Sequence, residues 1–210
     1  MNLYERNKRV MDFFDEKIDT YDDVHREFMQ SKKSLIDALN GDVKKVLDLG
    51  AGTGLELIYL FQKYPNCHVT VIDISKKMLD KLKQRDFANN VDTICGDFFK
   101  VPFGNDYDAV ISTSALHHFK KEEKKVLYSK ILGCLKENGY FINCDYIAQS
   151  QNIEDEQLYK LEHNFDDYKH IDIPLTVDHE LEVLKETGFE DITTSNVDLE
   201  RYKLIKARKL

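Results

Sequence analysis

The chain has 210 residues, with 30 lysines and arginines against 38 aspartates and glutamates, a formal net charge of -8. Its composition, 42% hydrophobic and 32% charged, is too apolar for a disordered chain, and a single domain over residues 1–210 is expected. The acidic balance speaks against a general affinity for nucleic acid, leaving only Lys203, Lys206, Arg208 and Lys209 as a basic cluster. No apolar stretch reaches the ~18 residues of a membrane span, and the N-terminus shows no signal-peptide pattern. Cys67, Cys95, Cys134 and Cys144 are scattered and three lie in apolar runs, so reduced thiols and a cytoplasmic location are expected.

Residues 1–40 are charged but periodic, with Leu35, Ile36 and Leu39 at helical spacing before Asn40-Gly41, and read as an N-terminal helical cap. A strand at 45–49 ends in a glycine-rich turn, a helix follows at 55–64, and a second strand at 69–72 ends at Asp73. The pattern continues with a helix at 76–88, strands at 92–95 and 107–112, a helix at 122–135 with Asn138-Gly139 just beyond it, and a strand at 140–144. A helix at 176–187 and two strands at 192–197 and 202–206 close the chain. This alternation predicts an α/β fold: a doubly wound, mostly parallel sheet with helices on both faces and an antiparallel pair at one edge. Residues 148–174 break it, carrying acids and aromatics such as Tyr159, Phe165, Asp166, Asp167 and Tyr168. Leaving the end of a strand, they would lie over the rim where such sheets bind ligands, so a helical lid before the last helix is expected.

The informative segment is Val46-Leu47-Asp48-Leu49-Gly50-Ala51-Gly52-Thr53-Gly54. Its glycines permit close backbone approach, and the following helix offers free N–H groups to a carboxylate or a phosphate. Asp73, 19 residues after Gly54, can accept from both hydroxyls of a ribose, a feature of NAD and of S-adenosylmethionine alike. Asp97 can accept from an adenine amino group while Ile74, Met78 and Phe98 wall the ring. The turn reads GxGxG rather than the GxGxxG that accommodates a pyrophosphate, which disfavours a nicotinamide-dependent dehydrogenase.

VLDLGAGTG, VIDIS, GDFF, YDAVISTSALHHF and LKENGYFINCDYI, in that order, resemble the class I S-adenosylmethionine-dependent methyltransferases over roughly residues 20–206. The resemblance implies a seven-stranded sheet with the last strand antiparallel, S-adenosylmethionine as cofactor and a small-molecule methyl acceptor. It further implies that Asp48 organises the glycine loop and that Gly50, Ala51, Gly52 and Gly54 wall the amino-acid end. Asp73 would hold the ribose, Ile74 and Met78 would pack on adenine, and Asp97 with the Phe98 amide would read its edge. Ser112 and Ser114 would run beside the methionine moiety, and Tyr21 would belong to an N-terminal element folding over the cofactor.

Methyl transfer from a sulfonium is an in-line displacement that needs alignment and a dry site, and a general base only where the acceptor must lose a proton. His117, His118 and Tyr146 are the candidate catalytic groups. No spacing among His117, His118, His163 and His170 matches a ligand set, so no metal is expected. Ser112-Thr113-Ser114-Ala115 stands where enzymes methylating nucleic-acid bases carry an Asn/Asp/Ser-Pro-Pro-Tyr/Phe turn, which favours a small acceptor. Two alternatives remain within the resemblance: an enzyme handling carboxylated S-adenosylmethionine for tRNA modification, and a binding protein without turnover.

Overall fold

The structure is a computed structural model that describes residues 2–163, 170–197 and 200–210. Seven strands, β1 (Lys45–Leu49), β2 (His68–Asp73), β3 (Val91–Cys95), β4 (Tyr107–Thr113), β5 (Leu135–Tyr146), β6 (Glu190–Asn196) and β7 (Tyr202–Arg208), form one sheet. Their order is β3-β2-β1-β4-β5-β7-β6. The first five pair in parallel, and β7 runs antiparallel to both β5 and β6, so the antiparallel pair lies at one edge as expected.

Side chains alternate across a strand, and here both faces are covered. Leu47, Leu49 and Val110 join the core beneath α6 (Lys121–Cys134) and α8 (Val177–Glu186). Val46, Ala109 and Ile111 join the core beneath α3 (Met29–Asp37), α4 (Leu55–Lys63) and α5 (Lys76–Leu82). Cys67, Cys134 and Cys144 are buried and all four cysteines are free thiols. No described helix is long and apolar enough to cross a membrane.

The N-terminal cap is helical. In α1 (Leu3–Glu16) the Asn2 side chain accepts from the Glu5 N–H and the Glu5 carboxylate accepts from the Asn2 N–H, a reciprocal cap. Arg6 donates to the His118 carbonyl at 3.3 Å and pairs with Glu123 in the first turn of α6. A short α2 (Tyr21–Val24) follows.

Two elements differ from the sequence reading. The helix expected at 76–88 stops at Leu82, because Arg85 turns back to donate to the Thr53 carbonyl at 3.1 Å and to Asp22 at 2.7 Å. The strand expected at 140–144 starts at Leu135, where it already pairs with Tyr107, and Asn138-Gly139 absorbs a register shift inside it instead of following a helix. Asn138 there takes a left-handed φ of 65°.

The insertion contains one described helix, α7 (Gln151–His163), while Phe165, Asp166, Asp167 and Tyr168 lie outside the described residues. Glu154 accepts from the Thr176 N–H at 2.6 Å and meets His179 Nδ1 at 2.7 Å, which fixes α7 to the start of α8. Leu161 packs with Ile171 and Ile173.

Between α6 and α8, Lys124 and Glu180 form an ion pair in which each side chain is 1% exposed, and Tyr128 donates to Glu180 at 2.6 Å. Removing one partner would leave a buried ammonium and an unpaired hydroxyl. Glu180→Ala is therefore expected to lower the unfolding free energy by about 3–5 kcal/mol. Urea denaturation checks this; a loss below about 1 kcal/mol, the worth of a surface pair, would show that the contact does not hold the two helices.

Candidate active site

β1 and β4 are neighbours in the sheet, yet β1 leads into α4 on one face and β4 leads into α6 on the other. The chain thus diverges at their C-terminal ends, which opens a crevice of the kind that binds ligands in such sheets. A cavity lined by the turns after β1 and β4 occupies it.

One wall is the glycine turn after β1. Gly50 has φ 78°, and a Cβ on it would lie 2.5 Å from the Ala115 Cβ of the turn after β4. Gly52 has φ 54°, and a Cβ on it would lie 3.2 Å from the Tyr21 hydroxyl. The backbone is thus pressed between Tyr21 and the turn after β4, and only glycine fits both positions. Asp73, at the end of β2, lines the next wall. Its Oδ2 accepts from the Gly52 N–H at 2.9 Å and its Oδ1 from the Ser75 N–H at 2.8 Å. Burial raises its pKa to about 6, against the pull of those two N–H donors; Glu56 and Asp15 also face it and add to the rise.

Ile74, Met78 and Phe98 give the cavity an apolar slot, with Asp97 beside it. Asp97 accepts from the Phe99 N–H at 2.9 Å, a local turn bond that leaves one carboxylate oxygen free of it. Ser114 closes the β4 side with a left-handed φ of 53°, a conformation uncommon for non-glycine residues. It is held by its N–H on the Cys144 carbonyl at 3.1 Å and by its hydroxyl on Tyr202 at 3.2 Å.

The sequence reading missed the roof. Val10, Met11 and Phe14 of α1 line the cavity together with Asn7, and their spacing of one and four residues on a helix was the available signal. Tyr21 completes the cover, its ring stacked on His25 at 3.8 Å and edge-on to Phe14 at 6.1 Å. Burial, with the Glu56 and Asp73 charges, keeps its hydroxyl protonated.

Other expected residues do not line the cavity. Ala51 is buried and Gly54 is covered by Leu82. The Ser112 hydroxyl donates to the Leu49 carbonyl at 2.7 Å, which ties β4 to β1 beneath the floor. Asp48 is completely buried and neither carboxylate oxygen has a hydrogen-bond partner. Burial, then the nearby Glu56, pushes its pKa well above the ordinary value. Lys32, from α3, donates to Glu56 at 2.7 Å and to Thr113 at 2.8 Å in the same buried group.

Of the three candidate catalytic groups only His118 lines the cavity. His117 sits behind it, with Nδ1 2.6 Å from Asp145 Oδ1 and Nε2 3.4 Å from Asp172 Oδ1. Asp145 Oδ2 also accepts from the Leu116 and His117 N–H groups at 2.9 and 3.1 Å, which pins this turn to β5. Burial alone would lower the His117 pKa, but the Asp145 and Asp172 carboxylates override it and raise it to about 10. Burial and the His117 charge lower that of His118 to about 3. Tyr146 packs edge-on to His117 at 6.0 Å, and His163 is remote, stacked on Tyr159. The insertion reaches this rim through Asp172 and through the Ile173 N–H on the His117 carbonyl at 2.8 Å; α7 contributes nothing to the described lining.

A glycine cradle that any Cβ would obstruct, a buried carboxylate at its edge and an apolar slot beside a second aspartate together suit an adenosine bearing an amino-acid chain. The comparisons with known proteins agree. Residues 46–139 match the family model described as a methyltransferase domain. The chain is similar to the carboxy-S-adenosyl-L-methionine synthase of Nautilia profundicola, with 23% identity covering 90% of this chain and 88% of that protein. It is similar to the phosphoethanolamine N-methyltransferase of Plasmodium falciparum, with 32% identity covering 60% of this chain and 48% of that protein. The chain thus spans about half the length of that second relative. Human N-acetylserotonin methyltransferase, solved with its cofactor, aligns with a TM-score of 0.66 and 26% identity over 87% of this chain and 55% of that one. Residues 46–139 thus form a methyltransferase domain of the class I S-adenosylmethionine-dependent type, with S-adenosylmethionine as the cofactor.

Gly50→Ala would drive a methyl into the Ala115 side chain at a backbone angle that alanine rarely adopts. We expect S-adenosylhomocysteine affinity to fall about tenfold or more in calorimetry. Wild-type affinity in a folded variant would mean that the turn does not shape the site.

Proposed function

We propose that the protein transfers the methyl group of S-adenosylmethionine to a small-molecule acceptor. The observation that carries this reading is the cavity at the β1/β4 divergence, in which Gly50, Gly52, Asp73, Asp97 and the Ile74/Met78/Phe98 slot converge under a helical roof. When bound, the cofactor supplies an electrophilic methyl carbon on a sulfonium. Gly50 and Gly52 let the backbone approach its amino-acid end, Asp73 accepts from the ribose hydroxyls, and Ile74, Met78 and Phe98 enclose the adenine beside Asp97. α1 and Tyr21 exclude water, and Ser114 borders the side from which an acceptor approaches.

Neither histidine is tuned as a general base near neutral pH. His117 already holds its proton between two carboxylates, and His118 is too weak a base at about 3. The protein's part is then alignment and desolvation, which suits an acceptor atom that is nucleophilic without losing a proton to these rings. A carboxylated cofactor is the second reading, favoured by the near full-length likeness to the synthase of Nautilia profundicola. It would bring an extra anionic group, and the described residues lining the cavity include no lysine or arginine to meet it. Mass spectrometry of the nucleoside extracted from purified protein separates the two.

Turnover is tested by incubating the protein with methyl-labelled S-adenosylmethionine and a panel of amines, thiols, phenols and carboxylic acids. Formation of S-adenosylhomocysteine matched by a labelled product is expected. Tight cofactor binding with no product from any member would favour a binding protein instead. The Asp73 role has its own signature. Ribose hydroxyls donate to the ionised carboxylate, so affinity is complete well above pH 6 and declines as pH falls through the Asp73 pKa of about 6. His117 and His118, at about 10 and 3, do not titrate in that window. Asp73→Asn should remove this pH dependence and weaken binding about tenfold or more; a variant with the wild-type pH profile would remove Asp73 from the ribose.

A further inference from the structure

We propose that His117, His118 and Asp172 form a binding site for a zinc-class divalent cation beside the cofactor cavity. His117 Nε2 and His118 Nδ1 each lie 3.4 Å from Asp172 Oδ1, and the three atoms fall within 4.8 Å of one another. A tetrahedral zinc with bonds of about 2.0–2.1 Å holds its ligand atoms about 3.3–3.4 Å apart, so two edges of the triangle already have that length. The three converging atoms leave the fourth position of a tetrahedral ion open.

Hydrogen bonding does not account for this convergence. Asp172 Oδ1 and both ring nitrogens of His118 are buried without a hydrogen-bond partner, and His117 and His118 are each at least nine-tenths buried. A proton on His117 would serve that ring and leave both nitrogens of His118 unpaired, a costly arrangement in a buried position. A cation uses all three atoms and would displace the Nε2 proton that His117 keeps in its absence. The second shell is also in place: Asp145 Oδ1, 2.6 Å from His117 Nδ1, takes the proton on that nitrogen and turns Nε2 toward the site, as carboxylates do behind metal-bound histidines. Two imidazoles and one carboxylate suit zinc better than magnesium or calcium, which prefer all-oxygen sets.

This departs from the expectation of no metal, which weighed only the histidines. The carboxylate comes from the insertion, 55 positions beyond His117, a separation that matches no local ligand spacing. His163, one of those histidines, is not among the converging groups and meets the Tyr159 carbonyl instead. The proposal stands apart from the transferred group and would hold for a binding protein as well.

The test uses the full chain dialysed against a chelator and then titrated with zinc alone, by calorimetry and elemental analysis. One zinc per chain at submicromolar affinity is expected. His118→Ala and Asp172→Asn should each weaken binding about 100-fold or more, while His68→Gln, at an exposed histidine paired with Asp92 far from the site, should not. Wild-type protein loaded with cobalt(II) should show the intense visible absorption of a four-coordinate ion, a readout independent of how the variants fold. No zinc uptake by the wild type, wild-type affinity in folded Asp172→Asn, or the weak spectrum of six-coordinate cobalt would each overturn the site.

Discussion

Two buried aspartates, each at the end of a strand, hold the shape on which the site depends. Asp73 at the end of β2 takes the Gly52 and Ser75 N–H groups, so one carboxylate fixes both the turn after β1 and the turn after β2. Asp145 near the end of β5 takes the Leu116 and His117 N–H groups and the His117 ring, fixing the turn after β4. Backbone turns at a sheet edge carry N–H groups that the ladder does not satisfy. A carboxylate satisfies two or three at once, and charge-assisted bonds offset part of its desolvation. The crevice between β1 and β4 follows from strand order, but its walls keep their form because these two side chains bridge neighbouring turns.

Beneath the floor lies a second buried charge group that ties the N-terminal region to the domain. Lys32 reaches from α3 to Glu56 at the start of α4 and to Thr113 at the end of β4, beside Asp48. Burial and the neighbouring Glu56 raise the Asp48 pKa well above the ordinary carboxylate value, and the Lys32 ammonium opposes that rise. α1 is fastened on the opposite side by Arg6 to the His118 carbonyl and Glu123. The roof over the cavity is thus attached through polar contacts to the same turns that form its walls. Residues 1–40 therefore act on the site through both its cover and its floor.

Most of the sheet was legible from its apolar runs, because strands buried on both faces read as short hydrophobic segments ended by turn residues. The glycine turn, Asp73, Asp97, Ile74, Met78, Phe98 and Ser114 were legible for the same reason: each stands at or just beyond a strand end, where the sequence marks its position. What was hidden was everything that depends on one element meeting another. Ser112 occupies a strand-end position, but its hydroxyl is engaged by the Leu49 carbonyl, a partner 63 positions away. The early stop of α5 came from Arg85 finding Asp22 and Thr53, and the early start of β5 from Tyr107 pairing with Leu135. The α1 roof was missed because amphipathic spacing shows that a helix buries a face without showing what lies beneath it.

His117 and His118 show how far position in the sequence falls short of chemistry. Adjacent in the chain and both buried, they are driven in opposite directions. His117 lies between Asp145 and Asp172 and holds its proton, whereas His118, beside that charged ring and with no bonded partner, loses its own. Burial alone would lower both, so the difference is set by carboxylates supplied from β5 and from the insertion. A pair of histidines separated in this way is poor at exchanging protons near neutral pH, because one does not release and the other does not retain. It is well suited to holding a fixed charge distribution at the rim, and that arrangement depends on Asp172. The insertion thus bears on the site through Asp172 and the Ile173 N–H near its C-terminal end rather than through α7.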